Sequence, residues 1–193
     1  MEWFHHFIEN IFQGIFWRTL LARFQWVDWF TMAFGLIGMI YGMRRGLMRE
    51  IIEILELVII IFLIFTYSPT TTALFDTYLP QMTHRAIQPL GFILTTAFFW
   101  FAIAFIDGYL RKAVHAKMTG LVRTAGGALF GALHFIIIWS VISQALILMP
   151  MPYLTKLYEP GNSVSGEKIK NLAPKIHDML TNPKEYMPVP KVS

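Results

Sequence analysis

The chain has 193 residues, of which 55% are hydrophobic and only 15% are charged, and its formal net charge is +4. A soluble domain normally carries about 25% charged residues, and the deficit here is concentrated in long apolar runs, which indicates a membrane protein with the lipid bilayer as its main partner. The basic residues lie in short blocks between these runs, so they predict topology and no nucleic-acid partner. Cysteine is absent, which excludes disulfides and thiolate metal sites.

Residues 1–25 are predicted to form an amphipathic helix in the membrane interface. Between positions 2 and 24 the apolar residues recur at helical spacing, and polar residues occupy the opposite face. The same pattern fits a helix whose apolar face docks on the rest of the protein. Both alternatives place this segment at the membrane edge, before the first span.

Residues 26–149 are interpreted as one transmembrane domain of four hydrophobic spans. The predicted spans cover residues 26–43, 46 or 51 to 67, 89–106 and 125–149, which are long enough to cross a bilayer. Ser68 and Pro69 are expected to end the second span, and residues 68–88 to form a polar loop. The predicted fold class is therefore an all-α integral membrane protein, with the interfacial helix before its four spans.

Residues 150–193 are polar and proline-rich, and they predict a short external tail with one amphipathic stretch that Pro174 interrupts. The topology follows from the connections between spans. The first connection holds three arginines and the third holds two lysines and two arginines, whereas the second holds only Arg85 against Asp76. We therefore expect the first and third connections in the cytoplasm and both termini, including the tail, outside it.

Two motifs carry a resemblance to a known family. Asp28 precedes the first apolar run, and an Arg-Gly-x-x-Arg-Glu turn leads into the second, formed by Arg45, Gly46, Arg49 and Glu50. The fourth span opens with Arg123 and Gly126, followed by Gly127 and Gly131. Over residues 26–149 the chain resembles the colicin V production protein (CvpA) family. It departs from the family pattern at Val122, where an acidic residue is common, and at His134, where the family has a basic residue.

The resemblance implies a four-span protein of the bacterial inner membrane, associated with export of a peptide toxin and with envelope or stress phenotypes. It implies no established molecular activity. Some relatives carry an extracytoplasmic serine protease on similar spans, and we expect no such domain in this chain.

The second span carries a polar stripe. At 100° per residue, Arg45, Arg49, Glu53 and Glu56 fall within about 80° of one another, with Glu50 at the flank. A carboxylate inside a membrane must be protonated, paired or in contact with water. One interpretation is structural, with Arg49 paired to Glu53 and with Glu56 meeting Arg123 or water at a subunit contact. Another is a half-depth aqueous vestibule for protons or cations, and a third is a partly solvated helix outside the lipid.

The fourth span has a second organised face, on which Gly120, Thr124, Gly127, Gly131 and His134 fall within about 80°. Small residues allow helix backbones to approach closely, so this face predicts helix packing. His134 lies well inside the span and needs a hydrogen-bond partner there. Its two alternatives are a structural hydrogen bond and a titrating switch, since histidine changes charge near neutral pH.

Enzymatic motifs are missing from the sequence. The six histidines are scattered, and there is no His-Glu-x-x-His, no Gly-x-Ser-x-Gly and no phosphate-binding loop. We therefore expect no enzyme, no cofactor and no metal site. Asp28 is expected to cap the first span.

Two functional hypotheses remain. The first is a non-enzymatic accessory or scaffold protein for toxin export or envelope maintenance, which assembles through its fourth span with itself or with another inner-membrane protein. The alternative is an oligomeric proton or small-ion channel lined by Glu53, Glu56 and His134.

Overall fold

The computed structural model describes residues 24–113 and 120–182. In these residues the chain forms six helices and no strand: α1 (Trp26–Arg45), α2 (Leu47–Tyr78), α3 (His84–Ala113), α4 (Leu121–Leu148), α5 (Pro152–Leu157) and α6 (Gly166–Thr181). Helices α1 to α4 each contain a segment long and apolar enough to cross a membrane. The predicted all-α membrane fold with four spans is confirmed. The predicted interfacial helix lies almost entirely outside the described residues.

The outer faces of the four long helices keep large apolar side chains exposed. Soluble proteins rarely expose apolar surface on this scale, whereas lipid-facing helices must. Examples come from three of the helices: Trp29 and Leu36 on α1, Leu55 and Ile59 on α2, and Phe98 and Phe101 on α3.

Helix α2 is longer than the predicted second span. The expectation that Ser68 and Pro69 end it and that a loop follows is wrong, because α2 continues to Tyr78 with Pro69 inside it. Beyond the proline, α2 still packs on α3, where the Thr95 hydroxyl donates to the Thr71 hydroxyl at 2.9 Å. Such contacts offset the roughly 3 kcal/mol that a proline costs inside a helix. The third helix likewise begins before Pro89, at His84.

Helices α1 and α4 make the closest contact in the bundle. Gly38 and Gly42 of α1 face Gly131 and Gly127 of α4 so closely that a Cβ at any of the four would overlap backbone of the other helix. Trp139 extends the contact by stacking on Phe34, with ring centroids 5.1 Å apart. The antiparallel pair is therefore held by small residues in its middle and by aromatic rings toward one end.

Helix α6 packs against the transmembrane helices. The sequence predicted a tail on the external side and gave no sign of this packing. Its Ile169 and Ala173 are buried, and Ala173 joins a core formed with α2 and α4. The Ser140 hydroxyl of α4 donates to the Ile169 carbonyl at 2.5 Å and accepts from the Ala173 amide at 2.9 Å. The end of the fourth span is thus not the end of the packed structure.

Pro174 lies inside α6 and does not interrupt it, contrary to expectation. A proline has no N–H to donate to the carbonyl four residues earlier, which here is that of Lys170. The Gln144 side-chain amide of α4 donates to this carbonyl. The hydrogen bond that the proline removes is therefore replaced by one that joins α6 to α4.

Asp28 joins the start of α1 to the start of α6. It is 2% exposed and accepts a bond from the Gln25 amide at 2.8 Å. The N-cap of α1 is therefore Gln25, and Asp28, which was expected to be the cap, is the third helical residue of a capping box. Asp28 also accepts bonds from the Ser165 amide at 2.7 Å, the Ser165 hydroxyl at 2.6 Å and the Val164 amide at 3.3 Å. One carboxylate thus serves two helix N-termini.

Candidate functional site

The turn between α1 and α2 positions the site. Gly46 alone separates the two helices, and its φ of 89° favours glycine, which has no Cβ to clash in that conformation. The Arg123 side chain covers the turn, since a Cβ at Gly46 would lie 2.9 Å from Arg123 Cγ. The tight turn places Arg45, the last residue of α1, beside the first turns of α2.

Glu53 is the centre of an ion-pair network. Arg45 Nη1 donates to its two oxygens at 3.0 and 2.9 Å, and Arg49 Nε donates to Oε1 at 3.0 Å. The Glu53 side chain is 8% exposed, whereas those of Arg45 and Arg49 are 31% and 41% exposed. The arginines therefore shield a buried carboxylate from the outside of the bundle.

The Glu50 side chain is more buried than that of Glu53 and contacts a different partner. It is fully buried, and its Oε2 lies 3.2 Å from Nδ1 of His134 on α4. Its other oxygen, Oε1, is buried and has no hydrogen-bond partner among the described residues. The same Nδ1 atom lies 3.5 Å from Glu53 Oε2. His134 thus stands between two carboxylates of α2, and we call Glu50, Glu53 and His134 the Glu–His cluster.

A cleft of about 260 Å³ gives access to the cluster from between α2, α3 and α4. Its polar lining comes from Arg45, Glu53, Glu56 and His134, and its apolar lining includes Trp100 and Ile103. Next to the cleft the helices meet in a hydrophobic core that includes two of its lining residues, Leu57 and Ile60; the buried members of this core are Leu57, Ile60, Ile61, Ile64, Phe92, Ile137, Val141 and Ala173. The cleft therefore ends against an apolar core.

The structure brings together most residues of the predicted polar stripe, with two differences. Arg45 was predicted on the second span but is the last residue of α1. The sequence placed Glu50 at the flank of the stripe, whereas in the structure it faces α4 and is the most buried of the three glutamates. Glu56 lines the cleft beside the cluster. The partner of His134 is the Glu50 carboxylate, whereas the structural alternative had expected a carbonyl or a hydroxyl.

The other predicted residues lie away from the cluster. Gly127 and Gly131 pack on α1, and Gly126 faces the Leu47 side chain. Thr124 is exposed, and a Cβ at Gly120 would meet no atom within 4 Å, so neither belongs to the contact between α1 and α4. Asp28 lies in the first turn of α1, at the end of that helix away from Arg45 and the cluster.

Sequence reasoning missed Gly38 and Gly42, which are essential to the contact between α1 and α4. Their four-residue spacing is the same as that of Gly127 and Gly131, so the signal was present in the sequence. It also missed the link between α6 and Asp28, for which the sequence offers only the serine at position 165. A contact between two residues 137 positions apart leaves no pattern in the local sequence.

The Glu–His cluster offers a set of possible metal ligands that the scattered histidines did not suggest. One ligand atom from each of its three residues can be chosen so that all three atoms lie within 4.8 Å of one another. Two carboxylates and one imidazole are a donor set that divalent transition metals accept. The arrangement can also exchange a proton between the imidazole and either carboxylate.

Comparison with known proteins identifies one family. A family model described as colicin V production protein matches residues 27–174. No curated protein and no solved structure matches the chain. The match extends beyond the predicted limit at residue 149 and reaches into α6, in agreement with the packing of that helix against the spans.

Proposed function

Because the chain belongs to the colicin V production protein family, we propose that it is a non-enzymatic accessory protein of the bacterial inner membrane that supports toxin export or envelope maintenance. The observation that carries this proposal is the closed end of the cleft. Glu53 is paired with Arg45, Glu50 contacts His134, and the residues that line the cleft beyond them, such as Leu57 and Ile60, belong to a hydrophobic core. Such a site fits a role in stabilising the helix bundle or in responding to a bound species better than a path across the membrane within one chain.

The accessory role requires a partner, which is a second copy of the chain or another inner-membrane protein. We expected assembly through the small residues of the fourth span. Gly127 and Gly131 are already covered by α1 of the same chain, so an assembly would use other surfaces of the transmembrane helices. The internal pairing of Glu53 with Arg45 and Arg49 also means that burial of the stripe does not depend on a subunit contact.

A second candidate function is an oligomeric channel for protons or small ions. It is favoured by one observation, that Glu53, Glu56 and His134 all line an open cleft. For conduction, a neighbouring chain would have to extend this cleft past the apolar core.

Reconstitution into liposomes separates the two functions. We expect the purified protein to give no flux of protons, potassium or chloride above that of protein-free liposomes under an applied potential, because the cleft ends in an apolar core. The Glu56→Gln variant is the matched control, since it removes a cleft carboxylate outside the Glu–His cluster. A flux in wild type that Glu56→Gln reduces would establish the channel and overturn the accessory role.

We also propose that the first and third connections are cytoplasmic, which places α6 outside. The arginines of the first connection support this orientation. Because the chain has no cysteine, single thiols can test it. We expect an impermeant maleimide to label Met82→Cys, in the exposed second connection, in cells whose outer membrane has been permeabilised. Arg44→Cys should be labelled only after lysis, and the reverse pattern would invert the topology.

A further inference from the structure

Glu50 is a carboxylate that needs a positive charge close by. It is fully buried, and both arginines of the network direct their hydrogen bonds to Glu53. The only polar contact of Glu50 among the described residues is with His134 Nδ1. An isolated carboxylate in an apolar interior is so unfavourable that it is neutralised by a proton or by a bound cation. The structure therefore leaves a place for one positive charge next to Glu50.

The geometry of the Glu–His cluster fits a metal ion in that place. Two ligand atoms each bound about 2.1 Å from one ion lie roughly 3.0–3.4 Å apart at octahedral or tetrahedral angles. His134 Nδ1 lies 3.2 Å from Glu50 Oε2 and 3.5 Å from Glu53 Oε2, and all three ligand atoms lie within 4.8 Å of one another, so a small movement of one side chain would bring them around an ion. The unbonded Glu50 Oε1 supplies a further oxygen on a ligand that is already in place.

The surroundings of the cluster meet two further requirements of a metal site. Ligating carboxylates are usually held in place by hydrogen bonds from outside the ligand shell, and Arg45 and Arg49 hold Glu53 in this way. An ion also needs a route of access, and the cleft lined by Glu53 and His134 provides one. The cleft leaves room for water to complete the coordination.

We propose that Glu50, Glu53 and His134 bind one divalent transition-metal ion of the Zn²⁺ or Mn²⁺ class. The two carboxylates bind as anions, and the neutral imidazole binds through Nδ1 with its proton on Nε2. An imidazole ligand favours these ions over Mg²⁺, which prefers oxygen ligands and retains its water. This inference goes beyond the accessory role and does not depend on it.

Metal analysis of the full-length protein tests the site. The protein is purified without a histidine tag, carries His5→Gln and His6→Gln to remove the adjacent N-terminal pair, and is stripped with chelator before dialysis against Zn²⁺, Mn²⁺ or Mg²⁺. We expect about one Zn²⁺ or Mn²⁺ ion per chain and little Mg²⁺. Glu50→Gln and His134→Gln should each weaken binding at least tenfold, since outer-shell changes alone cost about 10–100-fold.

His177→Gln is the matched control. The ring of His177 stacks on Phe62, at a centroid distance of 5.9 Å, and is not part of the Glu–His cluster, so this variant should bind as wild type does. A metal content far below one ion per chain in wild type, or equal binding by wild type and Glu50→Gln, would overturn the proposal.

A second measurement on wild type alone covers the case in which the cluster variants fail to fold. Zn²⁺ or Mn²⁺ should raise the melting temperature of the stripped protein, and Mg²⁺ at the same concentration should not. If Zn²⁺ and Mn²⁺ leave the melting temperature unchanged, the metal site is refuted.

Discussion

Gly42→Ala is expected to separate α1 from α4 and to lower the free energy of unfolding by about 3 kcal/mol. The added methyl would overlap the carbonyl oxygen of Gly127 and lie 2.8 Å from its carbonyl carbon and 2.9 Å from the Gly131 Cα. Its neighbours are backbone atoms of a packed helix, which cannot move aside as a flexible side chain can. The helices must therefore shift apart, and the stacking of Phe34 on Trp139 weakens with them.

The control for this prediction is on the same helix. A Cβ at Gly35 would meet only Ile136 Cδ1, at an ordinary 3.8 Å, so Gly35→Ala should be neutral or slightly stabilising, because alanine is the better helix former by about 1 kcal/mol. Each variant is heated in detergent, and its melting temperature is taken from the fraction of protein that stays monodisperse. Equal melting temperatures for the two variants would show that the contact does not depend on close backbone approach.

Asp28→Ala is expected to detach the start of α6, at a cost of about 3 kcal/mol or more. The variant removes acceptors for Ser165 and Val164, and hydrogen bonds to a charged group contribute about 1.5–3 kcal/mol each. Asp28→Asn keeps the shape and one acceptor oxygen, so it should lose less. Glu159→Ala is the control, because it removes an exposed carboxylate from the connection between α5 and α6. It should have no measurable effect on stability.

The detachment can be followed directly with a single thiol. Ala173 is fully buried against α2 and α4, so a cysteine at this position should react slowly with maleimide in an otherwise cysteine-free chain. Asp28→Ala should accelerate that reaction at least tenfold, whereas Glu159→Ala should not. If Asp28→Ala leaves the rate unchanged, the contacts of Ser140 and Gln144 hold α6 without help from Asp28.

The extent of the helices shows what hydropathy can predict. The four spans were recognisable because each is a long apolar run, and Pro150 and Pro152 do follow the end of α4. The prolines at 69 and 174 were misleading, since local propensity treats a proline as a stop. Each is retained inside a helix that other helices support, through Thr95 in one case and Gln144 in the other, and those partners are distant in the sequence.

The candidate site was predictable only in part for the same reason. Helical periodicity placed Arg49 and Glu53 together because they lie one turn apart on α2. Arg45 joins them although it ends α1, because Gly46 alone separates the two helices. Which side of α2 faces α4 depends on the tertiary fold, so Glu50 was assigned to the edge of a stripe although it lies at the centre of the Glu–His cluster. His134 meets it across 84 positions, a separation that no local pattern reports.

The double role of Asp28 has a consequence for the order of events during synthesis. Ser165 follows Asp28 by 137 positions, and at about 5–20 residues per second roughly 7 to 27 seconds of translation separate the two. Until then the carboxylate has its local partner, the Gln25 amide. The contact between α1 and α6 can therefore form only after residue 165 has been synthesised, so the start of α6 is among the last parts of the bundle to be fixed.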